Sequence, residues 1–184
     1  MSYVYAVLGS GRQGTAAAYD MARFGEAKRV LLADLDLGAA ERSAARVNRL
    51  IGSEIAHACR VDVTELQKLE AFLREVDAFV SAVPYWNNPL ITTAAIRAQA
   101  SMTDLGGNTE LVRQQLLQSP QAEKAGIAVI PDCGQVPGMG TSLTTYCMSK
   151  LDRTDEIMMW DGGNAAEPKP PFNYILTFNI AGLT

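Results

Sequence analysis

Residues 3–14 read Tyr-Val-Tyr-Ala-Val-Leu-Gly-Ser-Gly-Arg-Gln-Gly, and they decide the fold. Tyr3 to Leu8 is an apolar run of strand length. Gly9, Ser10, Gly11, Arg12, Gln13 and Gly14 follow as G-x-G-x-x-G, and Thr15 to Phe24 has helical spacing. Val30 to Ala33 is a second strand, closed by Asp34. Each part of this pattern has a mechanical reason in a dinucleotide site. Gly9 permits the tight turn, Gly11 lets backbone approach a pyrophosphate, and Gly14 lets the helix lie close to the strand. The helix N-terminus offers unpaired N–H groups to the phosphates. Asp34 stands 20 residues past Gly14, where a carboxylate takes the adenosine ribose hydroxyls. A carboxylate there repels a 2′-phosphate, so NAD is the expected cofactor rather than NADP.

The bulk properties agree with one globular nucleotide-binding domain and part of another. The chain has 184 residues, 48% of them hydrophobic and 20% charged, with a net charge of −4. No basic footprint points to nucleic acid. No apolar run approaches the roughly 20 residues that span a bilayer. The N-terminus carries no charged leader. Cys59, Cys133 and Cys147 are odd in number and widely spaced. They argue against a disulfide framework and a metal site, and for a reducing cytoplasm.

Further along, strands and helices alternate. Gly38 to Leu50 reads as a helix stopped by Gly52, and Ile55 to Val61 as the third strand. Thr64 to Gln67 has the form of a capping box for a helix running to about Val76. Asp77 to Val83 is a fourth, uniformly apolar strand. Asn88 is the expected cap of the next helix, with Pro89 at its first position. Ser101 to Leu105 is the fifth strand. Asn108 caps a helix from Thr109, Ser119-Pro120 restarts it, and Ile127 to Pro131 is the sixth strand. This is a doubly wound parallel sheet of the Rossmann type, with expected order 3-2-1-4-5-6.

The pattern changes past Gly134. Residues 1–135 are expected to form the NAD-binding domain. Residues 136–184 are expected to form a hinge, a helix over Thr141 to Leu151, and the start of an α+β catalytic domain. Its expected strands are Glu156 to Trp160 and Tyr174 to Ile180. Two strands and one helix bury little core, so this second domain reads as incomplete. The apolar tail Tyr174 to Leu183 suggests a homodimer through an edge strand.

In an open parallel sheet, ligands sit outside the carboxyl ends of the strands. Asp34, with the adjoining Leu35, and Asp62 and Val63 therefore flank the adenosine. Ala82, Val83 and Pro84 line the ribose and nicotinamide side. Gly106 and Gly107 let backbone approach the nicotinamide end. Asp62 is equally well explained as a helix-terminus residue. His57, the one histidine, sits inside the third strand, where a half-buried structural role is expected. Cys133 has no histidine placed to activate it and reads as a packed thiol. Tyr85 and Trp86 either stack on a ligand or seal the cleft.

Four stretches resemble the saccharopine dehydrogenase family, and within it the lysine 6-dehydrogenases. They are Gly9 to Gly14, Val80 to Tyr85, Thr103 to Asn108, and Pro131 to Gly138, with Pro170 to Tyr174 as a weaker fifth. The resemblance implies NAD-dependent oxidation of an amino acid's side-chain amine, with a lysine-like substrate deaminated to a semialdehyde. Such chemistry needs a base near the nicotinamide. Asp104 and Asp132 are the candidates for ammonium binding or proton handling, with Tyr85 and Asn108 as orienting groups. A sister chemistry is reductive carbon–nitrogen bond formation, as in saccharopine or carboxynorspermidine synthesis. A non-catalytic NAD-binding module is the reading from another class.

Overall fold

The computed structural model describes residues 2–162, 165–171 and 173. The chain divides into two compact units, Met1–Cys133 and Gly134–Thr184.

The first unit holds six strands: β1 (Tyr3–Leu8), β2 (Ala27–Asp34), β3 (Ala56–Arg60), β4 (Ala78–Ser81), β5 (Ser101–Asp104) and β6 (Val129–Ile130). They form one sheet in the order β3-β2-β1-β4-β5-β6, with every pairing parallel. The expected strand order stands. The connecting helices are α1 (Arg12–Phe24), α2 (Leu37–Ile51), α3 (Leu66–Leu73), α4 (Asn88–Ala98), α5 (Thr109–Leu116) and α6 (Ser119–Ala125).

Alternation along the central strands feeds two cores, one on each face of the sheet. Val7, Val30 and Leu32 pack with Ala18 of α1 and with Ala44 and Val47 of α2. Ala6, Leu8, Leu31 and Phe79 pack on the other face with Leu69 and Leu73 of α3 and Ile91, Ala94 and Ala95 of α4. Burial on both faces is why these strands are near-continuous apolar runs. Val7, Leu8, Leu32 and Phe79 are each at most 1% exposed, so the centre of the sheet is dry.

Local signals set several helix ends. Gly52 and Gly126 end α2 and α6 in the left-handed conformation, as a glycine stop should. Asn108 Oδ1 accepts the Leu111 N–H and caps α5. Two expected caps are corrected. Thr64 does not cap α3; its N–H and its hydroxyl both donate to Asp62 Oδ1, at 2.9 and 2.6 Å, and the helix starts at Leu66 without a side-chain cap. A closer acceptor won the hydroxyl. Asn88 does not cap α4 either. It is buried, and its Oδ1 accepts a hydrogen bond from Ser81 Oγ.

In the second unit, residues 134–138 form a loop closed by a bridge between Gly134 and Gly138, and α7 spans Met139–Met148. The strand expected over Glu156 to Trp160 is not formed. Those residues have no regular structure and no ladder partner among the described residues, and Trp160 is 83% exposed. The strand expected over Tyr174 to Ile180 lies outside the described residues. No helix among the described residues is long and apolar enough to cross a membrane.

Candidate dinucleotide site

The C-terminal ends of β1, β2, β4, β5 and β6 bring most of the expected site residues to one edge of the first unit. The glycine loop is shaped as its spacing demands. Gly9 has φ +97°, and a Cβ there would stand 2.7 Å from the Ala82 carbonyl oxygen. A Cβ on Gly14 would collide with the Gly9 carbonyl oxygen, so helix and loop touch backbone to backbone. A Cβ on Gly11 would meet nothing within 4 Å. Gly11 is therefore not needed for packing, which leaves its open side for a ligand. Gly11 is also the N-cap of α1 and supplies no side-chain cap, and the first turn holds no acidic residue. The helix N-terminus thus keeps its positive end free for an anion. Arg12 and Gln13 are exposed beside it, and Ser10, Gly11 and Arg12 border a cleft of about 670 Å³ whose other lining includes Tyr19 of α1 and Arg46, Val47 and Leu50 of α2 but not Asp34.

Asp34 is tied to this loop. Its Oδ2 accepts the Ser10 N–H at 2.7 Å and its Oδ1 the Asp36 N–H at 3.0 Å. A carboxylate has about four acceptor sites, so capacity remains for ribose hydroxyls. Ser10 is otherwise buried, with its Oγ without a partner and its carbonyl accepting from Ser43 Oγ. These features fit a dinucleotide: an open glycine, an uncapped helix start and a part-exposed carboxylate at the adjacent strand end.

Leu35 and Asp62 come together in a cleft of about 440 Å³ with Cys59, Arg60 and Phe72. Val63 is half-buried beside them in sequence and packs on the apolar core. The Asp62 carboxyl sits below the ordinary carboxylate range because the Thr64 hydroxyl and N–H both bond it. The structure thus shows Asp62 holding the turn before α3.

The other end of the site is built on glycine turns. Ala82 and Val83 lie against Gly9. Gly107 has φ +126°, and its Cα faces the Tyr85 ring so closely that a Cβ would stand 2.7 Å from Cδ1. Gly106 has φ +70°, and a Cβ there would strike the Asp132 carboxylate. Tyr85 belongs to a 3₁₀ turn, Tyr85–Asn87, following the exposed Pro84, and meets the half-exposed Trp86 edge to face with centroids 5.4 Å apart.

The two candidate carboxylates differ sharply. Asp104 is 0% exposed. Its Oδ1 accepts from Gly106 N–H at 2.8 Å and Asp132 N–H at 3.1 Å, and its Oδ2 accepts from Gln115 Nε2 at 2.8 Å. Direct contact with a substrate ammonium is closed to it, which corrects that part of the expectation. Asp132 is half-buried and sits at φ +59°. Burial raises its carboxyl above the ordinary range, the Asp104 charge raises it further, and the Gly107 N–H pulls the other way. Asn108 is exposed, but its side chain is committed to capping α5.

Two more expectations change. His57 is exposed, not half-buried, because β3 is an edge strand. Cys133 is exposed rather than packed, and all three cysteines are free. Among the described residues, no cluster of three His, Cys, Asp or Glu could hold a metal ion. The residue that sequence reasoning missed is Gln115. Its signal was a polar side chain four positions after Leu111, on the buried face of α5.

Comparison with known proteins agrees with this fold. The pattern of the family described as "Saccharopine dehydrogenase NADP binding domain" matches residues 5–130. A curated relative, saccharopine dehydrogenase [NADP(+), L-glutamate-forming] of Saccharomyces cerevisiae, is 27% identical over 156 residues. The match covers 82% of this chain but 34% of that enzyme, so the chain spans about a third of its relative's length. A solved structure of the apo, L-Glu-forming saccharopine dehydrogenase from Saccharomyces cerevisiae matches with a TM-score of 0.64 at 24% identity, covering 81% of this chain and 31% of that one. UDP-N-acetylglucosamine 3-dehydrogenase from Acidithiobacillus ferrooxidans matches at a TM-score of 0.56 and 17% identity, over 81% of this chain and 44% of that one. At such identities the solved structures establish the fold alone.

Proposed function

The chain belongs to the saccharopine dehydrogenase NADP binding domain family, and from that premise we propose that it forms the dinucleotide-binding part of an NAD-dependent oxidoreductase. Its substrate is the side-chain amine of an amino acid, and its reaction is oxidative deamination of L-lysine to the 6-semialdehyde. One observation carries the cofactor half of this reading. Asp34 ends β2 and is bonded to the glycine loop through Ser10, with acceptor capacity left for ribose hydroxyls. A 2′-phosphate would meet that charge. The family's description names NADP, so the preference for NAD is proposed from this residue alone.

In this reading Gly9 to Gly14 hold the pyrophosphate, Asp34 the ribose, and Leu35, Asp62 and Val63 the adenine surroundings. Ala82, Val83, Pro84, Gly106 and Gly107 frame the nicotinamide end. A nicotinamide held there would supply the acceptor for the hydride of the amine-bearing carbon. The substrate ammonium must first lose a proton. Asp132 is the group suited to take it, because burial and the neighbouring Asp104 raise its proton affinity. Tyr85, packed on Gly107, orients the substrate side. Water then adds to the resulting substrate imine, releasing ammonia and the aldehyde. The three free cysteines support a reducing, cytoplasmic setting. A homodimer remains part of the proposal, and light scattering that gives a monomer would remove it.

The curated relative favours a second reading, in which the substrate is saccharopine and the amino-acid product glutamate. Calorimetric titration with NAD and NADP, followed by assays of lysine-dependent and saccharopine-dependent NADH or NADPH formation, separates the readings. NAD binding with lysine turnover supports the first. Turnover of saccharopine alone replaces it with the second. Binding without turnover of either substrate favours a non-catalytic module.

A further inference from the structure

A polar chain runs through the otherwise apolar interior beneath the ends of β4, β5 and β6. Ser81 Oγ donates to Asn88 Oδ1 at 2.8 Å, and Thr92 Oγ1 donates to the Asn88 carbonyl at 2.8 Å. Gln115 Nε2 donates to Thr92 Oγ1 at 3.1 Å and to Asp104 Oδ2 at 2.8 Å. Asp104 Oδ1 then accepts the Gly106 and Asp132 N–H groups. None of these five side chains is more than 3% exposed. Buried polar groups cost stability unless each is bonded, and apolar residues would fill the same places without that risk. What the chain adds, beyond packing, is at its far end. There it holds two backbone amides of the candidate site.

We propose that Gln115 is a positioning residue: through Asp104 it sets the Gly106-Gly107 turn and the backbone of Asp132, and so the nicotinamide end of a bound dinucleotide. This rests on the dinucleotide reading given above. Gln115 is the one member of the chain on α5, and its amide reaches α4 and β5 at once. Each of its two Nε2 hydrogens has an acceptor, so its orientation is set. Without this donor the Asp104 carboxylate is free to turn about its last torsion and release the two amides. Asp132 is held at φ +59°, a conformation that non-glycine residues adopt at a cost, and its N–H bond to Asp104 helps to offset it. The adenosine end is separate. Its glycine loop hangs from β1 and β2 through Asp34 and shares no bond with Gln115.

The test compares NAD with ADP-ribose, which lacks the nicotinamide ring, on the wild-type chain and on Gln115→Met. That substitution keeps the side chain's length and removes its donors. Calorimetry is expected to show ADP-ribose bound within about twofold of wild type and NAD weakened about tenfold, the scale of one lost hydrogen bond to a charged group. Amide exchange at Gly106 and Asp132 should quicken while Val7 and Val80 keep their protection. If Gln115→Met does not fold, Thr92→Val removes one of the two acceptors and is expected to shift the same ratio by a smaller amount. Equal weakening of both ligands, or of neither, overturns the role of Gln115. A wild-type chain that binds neither ligand overturns the dinucleotide reading and this proposal with it.

Discussion

Replacing Asp104 with asparagine keeps the shape of the side chain and removes half of its accepting power. In the native chain Oδ1 takes the Gly106 and Asp132 amides, and Oδ2 takes Gln115 Nε2. Asparagine has one accepting oxygen and an NH₂ donor. With its oxygen toward the two amides, its NH₂ faces the Gln115 NH₂. Turning the Gln115 amide over relieves that clash but sets its oxygen against Thr92 Oγ1, whose proton is already donated to the Asn88 carbonyl. One buried group is left without a good partner in either arrangement. Such a loss costs about 1–3 kcal/mol. For a chain of this size it should lower Tm by roughly 2–12 °C, at about 2–4 °C per kcal/mol. Asp104→Leu strands all three donors, and its cost should exceed about 4 kcal/mol, the range of a broken buried network. Thermal and urea unfolding followed through Trp86, in a Trp160→Phe background, reports on the first unit. Trp160 is 83% exposed, so its removal should be silent. An Asp104→Asn chain within about 0.5 kcal/mol of the parent, the scatter of an ordinary surface change, would refute the assigned bonding.

Four further outcomes follow from the same geometry. Asp34→Ser should weaken NAD binding by about tenfold or more and narrow the preference over NADP in paired titrations; an unchanged preference would remove Asp34 from the ribose site. Gly14→Ala drives a Cβ into the Gly9 carbonyl and should destabilise the chain by about 1–3 kcal/mol or more. Gly11→Ala meets open space, so it should fold within about 0.5 kcal/mol of wild type and lose dinucleotide affinity, as read by calorimetry; full affinity would mean that no phosphate approaches there. Asp132 has a raised carboxyl, so its folded form holds a proton more tightly than the unfolded chain. Its contribution is present below the ordinary carboxylate value and is lost as pH rises through the raised folded value. Asp132→Asn, which tolerates φ +59°, should flatten that fall in urea midpoints measured against pH; an unaltered profile would place the pH dependence elsewhere.

The legible parts of this molecule are those that local chemistry determines. Gly9 and Gly14 stand where close backbone approach leaves no room for a Cβ, and Gly11 stands on the open side of the loop. Gly52, Gly126 and Asn108 end or begin helices through bonds within a few residues. The strand order followed from alternation and right-handed crossovers. The misreadings arose where a second local acceptor competed, as Asp62 did for Thr64, or where the partner lay on another element of the fold. Nothing near Asn88 in sequence announces Ser81 as its partner through the interior. Nothing near Gln115 announces Asp104. The stretch expected as a strand near Trp160 has no ladder partner among the described residues, and a strand needs one.

The carboxylates at the strand ends show why position in the sequence was not enough. Asp34, Asp62, Asp104 and Asp132 all close a strand or follow one, and pattern alone treats them alike. Burial and donors separate them. Asp62 is satisfied by the turn it holds. Asp104 is sealed and saturated by three internal donors, so it can act on a ligand only through its field and through the amides it holds. Asp34 keeps acceptor capacity at the loop, and Asp132 keeps part of its surface beside the Gly106-Gly107 turn. Burial, and after it the neighbouring Asp104 charge, raises the Asp132 carboxyl above the ordinary range, a shift in the direction that strengthens a base. In the proposed reaction the two carboxylates therefore act as a pair, with Asp104 supplying the charge and the geometry and Asp132 meeting the substrate.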